Sequence, residues 1–321
     1  MRFANANPKL LYELFWAGLQ DGVKASWSII KIMVPVSLAI TLLKYFGVVQ
    51  ILSQWVAPVC GWFGLRGGAI LALISGYLIN TFSAIAVMAT LSLTAKEIAI
   101  LASMVVICHA LPLEATVQQK AGGSFFEILM LRIAASLATG LILNQLLPAQ
   151  TAILPAKIQD LNAAGTGYSL PQMLGNWFWD NKIVLNIIAI NIVLTVFYKF
   201  LLHFGVVAKV SNFCKYLMFI FGLSKESALL WMITNSVGLI FGASLMVEAK
   251  NNRALPASDL RKLNLSLATC HSLIQESANF LAIGAPLFLL ILPRLVWAIL
   301  SVWTVNLVGF LKPKLNLERS G

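Results

Sequence analysis

Cys108-His109-Ala110-Leu111-Pro112-Leu113-Glu114 returns 162 positions later as Cys270-His271-Ser272-Leu273-Ile274-Gln275-Glu276. The agreement at Cys, His, Leu and Glu continues downstream at the same offset, where Gly122 and Arg132 match Gly284 and Arg294. Upstream, Phe46-Gly47-Val48-Val49 matches Phe204-Gly205-Val206-Val207, and Phe63-Gly64-Leu65 matches Phe221-Gly222-Leu223, both offset by 158. Collinear blocks at a near-constant offset identify an internal duplication. The four residues gained between the offsets are assigned to a longer polar loop in the second half.

The surrounding sequence is that of a membrane protein. Of 321 residues, 59% are hydrophobic and only 11% charged, where soluble domains carry roughly 25% charged residues. Residues 67–95, 133–156 and 227–247 contain no charged residue at all. Such runs are bilayer-length, at about 20 residues per span. The net charge of +11 is spread between apolar spans rather than gathered on one face, which argues against a nucleic-acid partner. The four cysteines (Cys60, Cys108, Cys214 and Cys270) lie in apolar segments without a CxxC pair, so no disulfide framework is expected. Arg2 and Lys9 precede an amphipathic stretch, 10–19, rather than the apolar core of a cleaved signal.

Each copy offers five apolar segments: 24–45, 46–63, 67–91, 98–117 and 124–147, then 183–202, 204–222, 226–248, 263–282 and 284–311. The second of each is short, and reads either as a span or as a re-entrant or interfacial segment. An odd number of spans inverts the second copy relative to the first. Charge favours this reading: the loop before the first Cys-His segment holds only Lys96, whereas its counterpart holds Lys250, Arg253, Arg261 and Lys262. Basic loops face the cytoplasm, which places both termini there, in the cell inner membrane. The expected fold is therefore an all-α polytopic membrane protein of two inverted repeats with short or broken helices. The first repeat occupies 1–147 with its amphipathic N-terminal segment, a linker 148–182, and the second repeat 183–321 with a basic tail.

His109, Glu114, His271 and Glu276 fall at mid-membrane depth, where ionisable residues mark pathways or buried pairs. In one continuous helix, five residues set His and Glu about 140° apart. They converge only if the helix is broken; Pro112, with Gly122 and Gly123 further on, offers a break in the first copy, and the second lacks that proline but has Gly284 and Pro286. Asn80 and Ser83, with Thr234 and Asn235, add uncharged donors and acceptors suited to a polar organic solute. These eight residues are the candidate substrate-binding set. The plainer reading of Glu114 with Arg132, and of Glu276 with Arg294, is a structural ion pair; that of the polar residues is glue between helices. Cys108 and Cys270 read first as small packing residues. As an alternative, Cys108, His109, Cys270 and His271 would be ligands for a soft divalent metal. No nucleotide, haem or hydrolase motif occurs, so neither an enzyme nor a resident cofactor is expected.

The duplicated Cys-His-x-Leu-x-x-Glu pattern with its Gly and Arg resembles the gate, or nucleoside-recognition, domain family. That family includes the spore maturation proteins A and B and the membrane gates of the ferrous-iron transporter B. The resemblance implies a pair of fused gate units, and this chain lacks the G-protein domain of the iron transporter. The reading is a secondary or facilitative transporter of a small polar or anionic solute, a nucleoside-like one among them, working by alternating access. Its partners are the lipid bilayer, the solute and a possible second copy of the chain, to which Trp177, Phe178 and Trp179 offer a contact or an interfacial anchor. Two alternatives stand beside it: a divalent-metal permease, and a non-transporting partner in envelope assembly.

Overall fold

A computed structural model describes residues 8–149, 169–180 and 182–318. The described residues form fifteen α-helices and no strand: α1 (Pro8–Tyr45), α2 (Val48–Trp62), α3 (Ala69–Leu78), α4 (Thr81–Ala89), α5 (Ala95–Ile107), α6 (Leu111–Lys120), α7 (Phe125–Leu146), α8 (Leu170–Asp180), α9 (Lys182–His203), α10 (Val206–Leu217), α11 (Ala228–Val237), α12 (Leu239–Asn251), α13 (Ala257–Thr269), α14 (Leu273–Leu281) and α15 (Leu287–Glu318). The chain is an all-α polytopic membrane protein. Among the described residues, five helical stretches are long and apolar enough to cross a bilayer: Pro8–Tyr45, Ala95–Lys120, Phe125–Leu146, Leu170–His203 and Leu287–Val308. Of the linker expected at 148–182, residues 150–168 lie outside the described ones. Trp177, Phe178 and Trp179 sit on α8.

The duplication is visible element by element. α1, α2, the broken pair α3–α4, the broken pair α5–α6 and α7 are followed in the same order by α9, α10, α11–α12, α13–α14 and α15. The recurring glycines explain the recurring motifs. Gly47 and Gly205 (φ 75° and 65°) and Gly64 and Gly222 (φ 65° and 66°) all lie in the left-handed region, where a side chain costs about 1–2 kcal/mol. They close one helix so that the next can begin, and Leu65 N and Leu223 N donate back to Cys60 O and Met218 O at 3.0 and 2.9 Å, as in the 6→1 bond of a Schellman ending.

The four additional residues of the second copy correct the sequence reading. They are not in a loop. The connections 90–94 and 252–256 are both five residues long, whereas α4 has 9 residues and α12 has 13. The insertion adds about one turn of helix, at 3.6 residues per turn, so the register after it is nearly preserved.

The helices pack into two compact units that cut across the two sequence halves. Unit 1 comprises residues 1–111, 136–200 and 275–290; unit 2 comprises 112–135, 201–274 and 291–321. In unit 1, Ile29, Met33, Ala84, Ile85, Leu101, Met104, Ile187 and Phe280 share one core. Here α1 lies against α9 along a seam of small residues. A Cβ on Gly18 would stand 2.8 Å from Val196 Cα, and one on Gly22 3.0 Å from Ile192 Cα. Lipid supplies no hydrophobic drive between helices, so such close backbone approach is what holds them. In unit 2, Met218, Phe221, Trp231, Met246, Leu263, Leu267 and Val302 form the core. Trp55, Phe126, Tyr216, Phe219 and Ile240 are exposed, and in a membrane they face lipid.

Burial separates the spans by role. The apolar window of Ala95–Lys120 is 83% buried, against 22% for Leu287–Val308. The Ala95–Lys120 segment, which carries Cys108, His109 and Glu114, is therefore largely buried, whereas α15 is largely exposed.

Candidate functional site

Both Cys-His segments break at the same place, and neither needs a proline to do so. α5 and α13 end at Ile107 and Thr269, with Cys108 and Cys270 as C-caps (φ −134° and −132°). Two residues on, Ala110 and Ser272 adopt φ 44° and 51°, rare for residues with a Cβ. Each strained turn is held by a matching backbone bond: Ala110 N donates to Gly76 O at 3.0 Å, and Ser272 N to Thr234 O at 3.3 Å. The break expected at Pro112 thus lies before that proline.

The acceptors sit where the third segments break too. Asn80 caps α4, its side chain accepting from Ser83 N at 2.9 Å while Ser83 Oγ donates to Ser75 O at 2.7 Å. The corresponding break in the second copy is made by Gly238, at φ 116°. Close packing explains one exchange of small residues between the copies. In unit 1, Gly76 faces Ala84; in unit 2, Thr234 faces Gly242, where a Cβ would meet Thr234 Oγ1 at 1.9 Å. Each pair keeps one glycine, on opposite partners.

The breaks aim each histidine at a carboxylate from the other sequence copy. In unit 1, His109 Nδ1 donates to Val105 O at 3.1 Å, and Nε2 lies 2.8 Å from Glu276 Oε1. In unit 2, His271 Nδ1 donates to Leu267 O at 2.8 Å, and Nε2 lies 3.2 Å from Glu114 Oε2. Both histidines and Glu276 are buried. A carbonyl only accepts, so Nδ1 carries hydrogen in both rings. A bare Nε2 facing a bare carboxylate would set lone pair against lone pair. One proton therefore resides on each His–Glu line, as imidazolium with carboxylate or as imidazole with carboxylic acid.

The arginines play unlike parts. Arg132 Nη1 donates to Glu114 Oε2 at 2.6 Å inside unit 2, with Arg132 fully buried, the ion pair expected from the sequence. Arg294, also fully buried, donates from Nε to Thr269 O at 3.1 Å and from Nη2 to His271 O. It satisfies carbonyls that the end of α13 leaves open. Cys270 Sγ lies 3.7 Å from Asn235 Oδ1, to which it donates, and Cys108 and Cys270 are fully buried.

The eight candidate residues thus divide: Asn80, Ser83, His109 and Glu276 fall in unit 1, and Glu114, Thr234, Asn235 and His271 in unit 2. The structure also brings in polar residues that sequence reasoning missed. In unit 1, Gln275 Nε2 donates to Asn191 Oδ1 at 2.9 Å, and Asn191 Nδ2 to Asn279 Oδ1 at 2.9 Å, tying α9 to the half-helix that carries Glu276. In unit 2, Gln118 Nε2 donates to Asn264 O at 2.9 Å, and Asn264 Nδ2 to Ala121 O at 3.1 Å, tying α6 to α13. The available signal was an isolated amide in an apolar run, as at Asn191.

Comparisons with known proteins agree with this picture. The profile of the Gate family, described as nucleoside recognition, matches residues 26–122. The chain is similar to YvoD of Bacillus subtilis (strain 168), described as an uncharacterized membrane protein: 29% identical over 309 residues, covering 91% of this chain and 94% of that one. No solved structure matches. Residues 26–122 thus match the Gate, or nucleoside-recognition, domain, within a chain that is an all-α polytopic membrane protein.

Proposed function

We propose that the chain is a secondary or facilitative transporter of a small polar or anionic solute, nucleoside-like in its hydrogen-bonding groups, in the cell inner membrane. The observation that carries this reading is the pair of His–Glu dyads at matching helix breaks, each built from both sequence copies and with His109, His271 and Glu276 buried. A purely structural bundle gains little from two such ionisable pairs, which are expensive in a membrane. A solute hydroxyl or amino group that replaces one member of a dyad inherits a ready hydrogen-bond partner. The half-helices α6 and α14 are short, at 10 and 9 residues, and each is joined to its neighbour by a turn rather than by continuous helix. These are the elements that move when a dyad opens.

Inverted repeats with both termini cytoplasmic supply the alternation: the same broken element faces one side of the membrane in one copy and the other side in its counterpart. The test is flux into proteoliposomes holding the purified protein, with a panel of labelled nucleosides and small organic anions. Saturable, protein-dependent uptake of at least one solute is expected. Absence of flux for every solute, from protein shown to be folded, removes the proposal.

A further inference from the structure

A cavity of about 350 Å³ in unit 1 lies apart from the dyads, at the end of α1 and the start of α3. Its polar lining is Lys44, Arg66, Gln50, Ser53, Gln54 and Ser92, with no acidic residue among the lining groups. The volume lies within the range of small-ligand sites, roughly 300–1,000 Å³. Two cations and four neutral hydrogen-bonding side chains on one cavity wall are the chemistry of anion recognition.

Both cations are fixed in place. Arg66 donates from Nε and Nη2 to Glu97 at 2.8 and 2.6 Å, and from Nη2 to Ser92 O. Glu97 is buried at 4%, whereas the Arg66 side chain is 51% exposed. The carboxylate therefore sits within the wall, outside the cavity lining, and the guanidinium stays accessible. Lys44 Nζ is anchored on Thr90 O. The wall between the cations is tight: a Cβ on Gly67 would lie 2.0 Å from Ser53 O.

At the offset of 158, Lys44 and Arg66 correspond to Leu202 and Ser224, with Lys225 next to Ser224, so the second copy builds the same junction without a cation in place of Lys44. There Ser224 simply bonds Ser227 at 2.9 Å. Lys44, whose counterpart in the second copy is Leu202, points to a ligand rather than to folding.

We propose that this cavity binds a phosphate-bearing anion, supplied as an anionic phospholipid headgroup or as a free phosphate. Basic pockets between membrane helices hold phospholipid headgroups, and a guanidinium fork suits phosphate oxygens. The positive end of the α3 dipole adds field of the same sign.

The test measures binding to the full chain by native mass spectrometry from phosphatidylglycerol or phosphatidylcholine nanodiscs, and by calorimetry with inorganic phosphate in lipid-free detergent. Selective retention of phosphatidylglycerol assigns the site to lipid; saturable binding of inorganic phosphate assigns it to free phosphate; either supports the proposal. Lys44→Gln is expected to weaken binding about fivefold, the effect of one cation at a membrane surface, with Lys44→Arg restoring it. Because Arg66 also holds Glu97, a second variant leaves both cations in place: Gln54→Glu puts a carboxylate at the exposed rim and is expected to weaken binding with the unfolding temperature unchanged. Binding of neither probe overturns the proposal, as does binding that Lys44→Gln and Gln54→Glu leave intact.

Discussion

Pairing a histidine with the glutamate of the other sequence copy makes a quantitative prediction for His109 and Glu276. The two lie 2.8 Å apart, are 3% and 8% exposed, and share one proton. Hydrogen bonds involving charged groups contribute about 1.5–3 kcal/mol, while double-mutant cycles inside a membrane bundle average about 0.6 and reach about 1.7 kcal/mol. The short distance, the burial and the obligatory proton place this pair at the upper end, with a coupling of about 1.5 kcal/mol. Each single variant, His109→Ala or Glu276→Ala, is expected to cost more, about 2–4 kcal/mol, because it leaves a buried ionisable partner behind. The assay is equilibrium unfolding in mixed micelles for wild type, both single variants and the double variant. His109→Ala combined with Glu97→Ala is the control. Glu97 is twelve residues away at the other end of α5, about 18 Å along a helix, and bonds Arg66 instead. Its coupling to His109 should stay under about 0.5 kcal/mol. A His109–Glu276 coupling equally small would refute the dyad.

Other consequences follow from packing and charge. Gly242→Ala should destabilise by about 1–3 kcal/mol, because its Cβ would sit 1.9 Å from Thr234 Oγ1; adding Thr234→Gly should recover most of that loss in the same unfolding assay. Arg132→Met should cost about 3–5 kcal/mol by removing the buried cation paired with Glu114, and Glu114→Gln in the same background should recover part of it. Topology is open to direct labelling, since Cys60, Cys108, Cys214 and Cys270 are all buried. Single cysteines at Ser92 and Ser258 should react with an impermeant maleimide from opposite sides of the membrane, and labelling of both from one side would contradict inversion.

The sequence displayed the segments, the duplication and the dyad residues because each has a one-dimensional signature. Apolar runs mark helices. The Phe-Gly motifs mark left-handed turns at Gly47, Gly64, Gly205 and Gly222. Lone His and Glu in apolar runs mark a site. What stayed hidden depends on tertiary placement. Nothing local says that Glu114 serves His271 and Glu276 serves His109, because that choice is made when α6 and α14 pack into the unit opposite their own histidine. The helix break was read from Pro112, but the turn is made by Ala110 and Ser272, residues with no turn signature, held by carbonyls of α3 and α11. The four inserted residues looked like loop because Lys250, Asn251 and Asn252 are polar, yet they lengthen α12 past its apolar stretch. Asn191 announced itself as an amide in an apolar helix, but its partners Gln275 and Asn279 are known only from packing.

The central claim is that the two dyads handle the transported solute. Its most direct test is solute flux in proteoliposomes for wild type, His109→Ala, His271→Ala and the double variant, each reconstituted at equal folded amount. The account predicts a protein-dependent flux that falls at least tenfold in either single variant and vanishes in the double. Wild-type rates in the folded double variant would show that the solute passes elsewhere.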